Sequence, residues 1–142
     1  MPAILRIVLA VVLGFIAGSA VNISLVMVSG KIIPPPVGAD IATVEGLKTS
    51  LHLFQPVHFV FPFLAHALGT ATGAFVAALA ARAHARVAAF VVGGLFLLGG
   101  VANAFMLPAP TWFIAVDLIL AYGPAAGLGL WCARRVGPRR GA

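Results

Sequence analysis

The chain has 142 residues, of which 62% are hydrophobic and only 8% charged, with a net charge of +6. So few polar side chains cannot clothe a water-facing surface, which excludes an ordinary soluble domain and makes lipid the expected solvent. The positive charge does not argue for nucleic acid: the bases sit at the ends of apolar runs, where membrane topology places them, and no aromatic–basic surface accompanies them.

Four apolar runs predict a four-transmembrane-helix bundle folded as a single domain. The first helix is expected over about 3–28. Arg6, an apolar run and Gly18-Ser19-Ala20 mimic a signal peptide, but the run continues through Val28, so it reads as a membrane span. Ala10, Gly14 and Gly18 lie four apart and mark a face for close backbone contact. Residues 29–54 form the one sizeable segment outside the membrane. Pro34-Pro35-Pro36 stops the helix and favours extended chain. Beyond it, Asp40 is read as the N-cap of a short amphipathic helix carrying Ile41, Val44, Leu47, Leu51 and Phe54 on one stripe.

The second helix, expected over about 55–82, changes character halfway. Its first part is aromatic and kinked (His58, Phe59, Phe61, Pro62, Phe63, His66), with Pro62 expected to break the helix and free the His58 carbonyl. Its second is a ladder of small residues, Ala65, Gly69, Gly73, Ala77 and Ala81. The ladder marks it as the packing spine of the bundle. The third helix is expected over about 87–107 and the fourth over about 111–133, with Pro124 kinking the latter by freeing the carbonyl of Leu120. A basic tail, 134–142, closes the chain. Cys132 is the only cysteine, which excludes an intrachain disulfide and makes it a small packing residue.

Arg6, Arg82, Arg86, Arg134, Arg135, Arg139 and Arg140 fall at one end of this bundle with no acid among them. Lys31 and Lys48 fall at the other end with Asp40 and Glu45. The positive-inside rule then predicts both termini in the cytoplasm of a bacterial inner membrane and the 29–54 segment facing outward. The strings His66-Ala67-Leu68-Gly69-Thr70 and Ala102 to Phe113 (ANAFMLPAPTWF) resemble those of small, uncharacterised bacterial four-span membrane proteins. That resemblance covers most of the chain and implies no activity.

Intramembrane polar residues are costly and usually face inward, so their depths carry the functional signal. From the helical rise, Asn22 lies about 9 Å from the outer end of its helix, Asn103 about 7–8 Å, Asp117 about 10 Å, His58 about 3 Å and His66 about 15 Å. Every strongly polar side chain thus falls in the outer leaflet or at the midplane, with each helix contributing. This predicts a polar pocket opening outward over an apolar floor, built from Asn22, His58, His66, Asn103 and Asp117. Asp117 is the only carboxylate within a span. Burial disfavours its charged form, so it is expected either protonated or beside a donor, His66 or Asn103. The plainer alternative is that these residues are interhelical hydrogen-bond glue, worth about 0.6 kcal/mol each.

His58 and His66 lie too far apart along the helix to share a metal. No second midplane histidine completes a bis-histidine haem, leaving a single axial ligand for a haem or chlorin as the one cofactor reading. His52, His58, Asp40 and Glu45 lack compact metal-ligand spacing. The pairs Gly14/Gly18, Gly69/Gly73 and Gly123/Gly127 are GxxxG motifs, expected to pack helices and, where one faces outward, to drive self-association or docking to a larger membrane complex. Thr70 and Thr72 are expected to bond back to their own helix, and His84 to sit solvated in the turn.

No nucleophile–base set, phosphate loop, CxxC or HExxH is present. The leading functional expectation is therefore a non-catalytic packing or self-assembling subunit whose partners are lipid and other membrane chains. Two alternatives stand beside it. One is a binder or transporter of a small ligand, ion or proton through the outward pocket. The other is a membrane enzyme using His66 and Asp117 as acid and base on a lipid-like substrate.

Overall fold

The computed structural model describes residues 2–136. Arg139 and Arg140, and most of the expected basic tail, lie outside that range. Among the described residues every regular element is helical and there is no strand. Four helical stretches, Ala3–Ile32, Pro56–Ala80, Arg82–Met106 and Thr111–Val136, are long and apolar enough to cross a membrane. The regular helices within them and in the connecting segment are α1 (Ala3–Ile32), α2 (Val44–Ser50), α3 (Val60–Ala80), α4 (Ala85–Met106), α5 (Thr111–Leu120) and α6 (Gly123–Val136).

Helix α1 runs four residues past its expected end at Val28. The Ile33 N–H still donates to the Ser29 carbonyl, 2.8 Å away. Ile33 itself is extended, at φ −120°, because the ring of Pro34 clashes with a helical residue before it. The chain then reverses at Pro36–Ala39, where Gly38 takes φ +85°. A β-branched or bulky side chain would be strained there.

Helix α2 is shorter than the stripe suggested. Its cap is Thr43, whose Oγ1 accepts from the Gly46 N–H at 2.9 Å. Asp40 has a different part. Its N–H donates to Ser50 Oγ and its Oδ1 accepts from the Ala42 N–H, both at 2.9 Å. This folds the chain before α2 back across the helix. Gly46 is what allows that return, since a Cβ there would run into the Asp40 carboxylate. Leu51 is buried and Leu47 and Phe54 are half-buried against Phe59 and Phe113, while Ile41 and Val44 remain exposed.

The second span opens with a 3-10 turn over Pro56–Phe59 before α3 begins. Pro62 therefore falls in the first turn of α3, where a missing N–H costs little, and does not break the span. Helix α3 is the centre of the bundle, packing against α1, α4 and α6. Its ladder of Ala65, Gly69, Gly73, Ala77 and Ala81 is buried throughout. Helix α1 runs antiparallel along this ladder. Added Cβ atoms at Gly69 and Gly73 would lie 2.9 and 2.8 Å from the carbonyl oxygens of Gly18 and Gly14, and both α1 glycines meet the carbonyls of α3 in return. Two GxxxG motifs thus mate within one chain, at matching depths, with backbone touching backbone.

The fourth span does not match its expected glycines. Among the described residues nothing lies near the Cβ that Gly123 and Gly127 lack, and the close approach to α3 is made by Gly129, over Ala71 and Phe75. The interruption expected at Pro124 is present as a break in this span. Helix α5 stops at Leu120, Ala121 and Tyr122 form a turn, and α6 restarts at Gly123. Pro124 lies in the first turn of α6, a position whose N–H has no helical partner anyway. Two further expectations fail on hydrogen bonding. Thr70 Oγ1 and His84 Nδ1 are buried and have no partner among the described residues, so Thr70 does not bond back to its helix and His84 is not simply solvated.

Candidate functional site

The break between α5 and α6 builds the site. Asp117 lies on α5 and Tyr122 in the turn that follows it. On an unbroken helix, residues five apart point about 140° away from each other. The turn at Ala121-Tyr122 brings the phenol back, and Tyr122 Oη stands 2.9 Å from Asp117 Oδ2. The Cβ that Gly100 lacks would collide with the Tyr122 hydroxyl. Glycine on α4 is what leaves the phenol its place.

His66 comes to the same point from α3. Its Nδ1 is 2.9 Å from both oxygens of Asp117 and 3.0 Å from Tyr122 Oη. The imidazole and phenol rings stack, centroids 5.8 Å apart and planes 30° apart. Asp117 and Tyr122 are only 4% and 1% exposed. An ionised carboxylate can only accept, so Tyr122 O–H and His66 Nδ1–H are its donors. Both donors are spent on one acceptor group in a dry place, where an unpaired carboxylate would be far more costly.

The tautomer follows from this assignment. With Nδ1 carrying the proton toward Asp117, Nε2 carries the lone pair. Among the described residues no side chain or backbone group bonds to Nε2. A carboxylate behind a histidine fixes the ring's tautomer and orientation. The arrangement can accept a hydrogen bond, take a proton or donate a lone pair.

His66 stands on the boundary between two cavities. One, of about 170 Å3, lies beneath the segment carrying α2 and is lined by Leu51, Phe54, Phe59, Leu107, Phe113 and Ile114. The other, of about 310 Å3, opens between α1 and α4 and carries Ser19, Asn22, Phe96 and Tyr122. His66, Gly100 and Asn103 line both. The first is mostly apolar, its polar lining being His58, His66, Asn103 and Asp117. The second is where the polar side chains of α1 and α4 gather.

The residues singled out from the sequence therefore part company. His66 and Asp117 meet. Asn22, His66 and Asn103 share the second cavity, with Asp117 behind the imidazole. Asn103 is exposed and makes no bond to Asp117; the second donor is Tyr122, a residue the polar inventory passed over. His58 serves its own turn, its Nδ1 accepting from the Gln55 N–H at 3.0 Å. Among the described residues no three of His, Cys, Asp and Glu come together as metal ligands.

Comparison with known proteins adds no relative, since no family model, curated protein or solved structure matches the chain. The class is set by fold and site alone: an all-helical protein with four candidate membrane spans around a buried His–Asp–Tyr cluster.

Proposed function

We propose that this is a multi-pass protein of a bacterial inner membrane that binds a small ligand at His66, drawn from the outer leaflet or the periplasmic face. The orientation rests on the bases: Arg6, Arg82, Arg86, Arg134 and Arg135 at the end without acids argue for cytoplasmic termini. The segment carrying α2 is then the outward cap of the site.

One observation carries the reading. His66 is held on one nitrogen by a buried carboxylate, unpartnered on the other, and placed at the wall of two cavities. Interhelical glue has no use for the second nitrogen or for the space beside it. The test is to purify the protein in lipid nanodiscs and analyse the small molecules it retains. A compound retained by wild type and absent from His66→Gln, with both proteins equally folded by circular dichroism, is the expected result. Identical extracts from the two would remove the reading.

A second reading, a self-assembling subunit, is favoured by the open space at Gly123 and Gly127. A small-residue pair without a partner among the described residues is suited to pack against another copy. Native mass spectrometry distinguishes it: a dimer lost on Gly127→Leu supports assembly, and a monomer in wild type contradicts it.

A further inference from the structure

We infer that the ligand of the smaller cavity is a neutral, hydroxylated aromatic ring, a phenol or hydroquinone that reaches it through the lipid; this rests on the ligand-binding reading above. Three features of the cavity select the class.

The first is size. A cavity of about 150 Å3 lined by aliphatic and aromatic side chains is dry and takes a benzene ring. The cavity beside His66, at about 170 Å3, has room for one ring with a small substituent. A macrocycle of four pyrroles, which a single axial histidine would otherwise suit, exceeds this volume several-fold.

The second is lining. Phe59 and Phe113 pack with ring centroids 4.7 Å apart, and Phe54 lies 6.2 Å from Phe59. All three line the cavity. Aromatic walls favour a guest ring through offset and edge-on contacts over a flexible aliphatic chain of equal volume.

The third is charge. No lysine or arginine lines the cavity, so an anion has no partner. The one carboxylate, Asp117, is 4% exposed and already accepts from His66 and Tyr122, so a cationic guest meets no free negative charge. A neutral guest remains. His66 lines the cavity and its Nδ1 is engaged by Asp117, so Nε2 is the acceptor left to a guest; a phenol is a ring of this size that supplies the matching donor. The exposed Asn103 amide, on the same boundary, is placed to meet a second ring oxygen such as that of a hydroquinone.

The experiment is a titration of the wild-type protein in nanodiscs with phenol, benzene and cyclohexanol, read from the 15N resonances of His66. Simple partitioning into the bilayer does not move those resonances. Phenol should saturate the Nε2 shift at about one-tenth the concentration that benzene requires, the worth of one hydrogen bond. His66→Gln, followed by saturation of the ring resonances of the phenylalanines, should bring phenol close to benzene. Ile114→Trp, which fills the cavity without touching the cluster, should abolish binding of both; Leu107→Phe serves if the tryptophan variant does not fold. Equal affinity for phenol and benzene would overturn the inference by showing that the hydroxyl is not read. Cyclohexanol binding as well as phenol would overturn the aromatic class. In both cases a ligand site at His66 would still stand. No saturable shift with any probe, together with identical nanodisc extracts from wild type and His66→Gln, would remove the site itself.

Discussion

The two halves of this bundle are built from different materials. The arginine-rich half is made of alanine and glycine. Ala74, Ala78, Ala89, Ala126 and Ala133 form one buried cluster there with Leu130, and Ala10, Ala77, Ala81 and Ala88 another with Val92. The half beneath the α2 segment is made of large rings, with Leu51, Phe59 and Phe113 at its core. Small side chains let helix backbones touch and leave little unfilled space. Large rings hold helices apart, and between them open cavities of about 170, 310, 400 and 430 Å3. In lipid no hydrophobic drive closes such gaps, so close packing at one end is what permits loose packing at the other. The alanine–glycine half holds the bundle together and the aromatic half has space to bind something. His66, Asp117 and Tyr122 lie at the seam.

That division can be broken in graded steps. The largest effect is expected from Gly73→Leu, since even a Cβ there lies 2.8 Å from the Gly14 carbonyl oxygen and 2.9 Å from Val92 Cγ1. Backbone cannot yield as a side chain can, and the loss should exceed the usual overpacking cost of about 1–3 kcal/mol. A thermal melt in mild detergent should show no cooperative transition. Gly127→Leu, facing open space, should leave the same melt unchanged.

Asp117→Asn comes next. It keeps the volume and removes the charge that both donors address, and hydrogen bonds to a charged group are worth about 1.5–3 kcal/mol. A lowered melting temperature is expected, along with release of His66 from a single tautomer. A melt as stable as wild type would mean that the cluster contributes no energy. Tyr122→Phe removes one of the two donors to that carboxylate but keeps the stacked ring, and should cost about 1.5 kcal/mol, the low end for a hydrogen bond to a charged group. The smallest effect is expected from Asn103→Leu. It makes no bond in the cluster, so stability should hold, and only affinity for a two-oxygen guest should fall.

Much of the small-residue half was legible beforehand, because its rule is local. Glycines and alanines four apart on one face must lie against something, and the two motifs at matching depths on antiparallel helices were able to meet. What spacing alone could not tell was which face turns inward. Gly123 and Gly127 have the same spacing as Gly69 and Gly73, yet Gly129, outside that motif, makes the contact. The meeting of His66 with Asp117 followed from depth along the helix axis. Tyr122 was not legible for a geometric reason: on a continuous helix it points away from Asp117, and only the turn at Ala121-Tyr122 reverses that. Pro124 signals an interruption of this span, but not that the chain turns enough there to bring the Tyr122 phenol to Asp117. Likewise Asp40 looked like a cap because of its residue type, whereas Thr43, three residues nearer the helix, had the position.

The site depends on the state of one imidazole, and 15N solid-state NMR of the histidines in a lipid bilayer reads it directly. His66, assigned by its loss in His66→Gln, should show a protonated Nδ1 and a bare Nε2, a pattern that Asp117→Asn dissolves into a mixture of tautomers. A His66 that is protonated on Nε2, or averages between forms as free histidine does, would contradict the claim that Asp117 and Tyr122 hold it ready for a ligand.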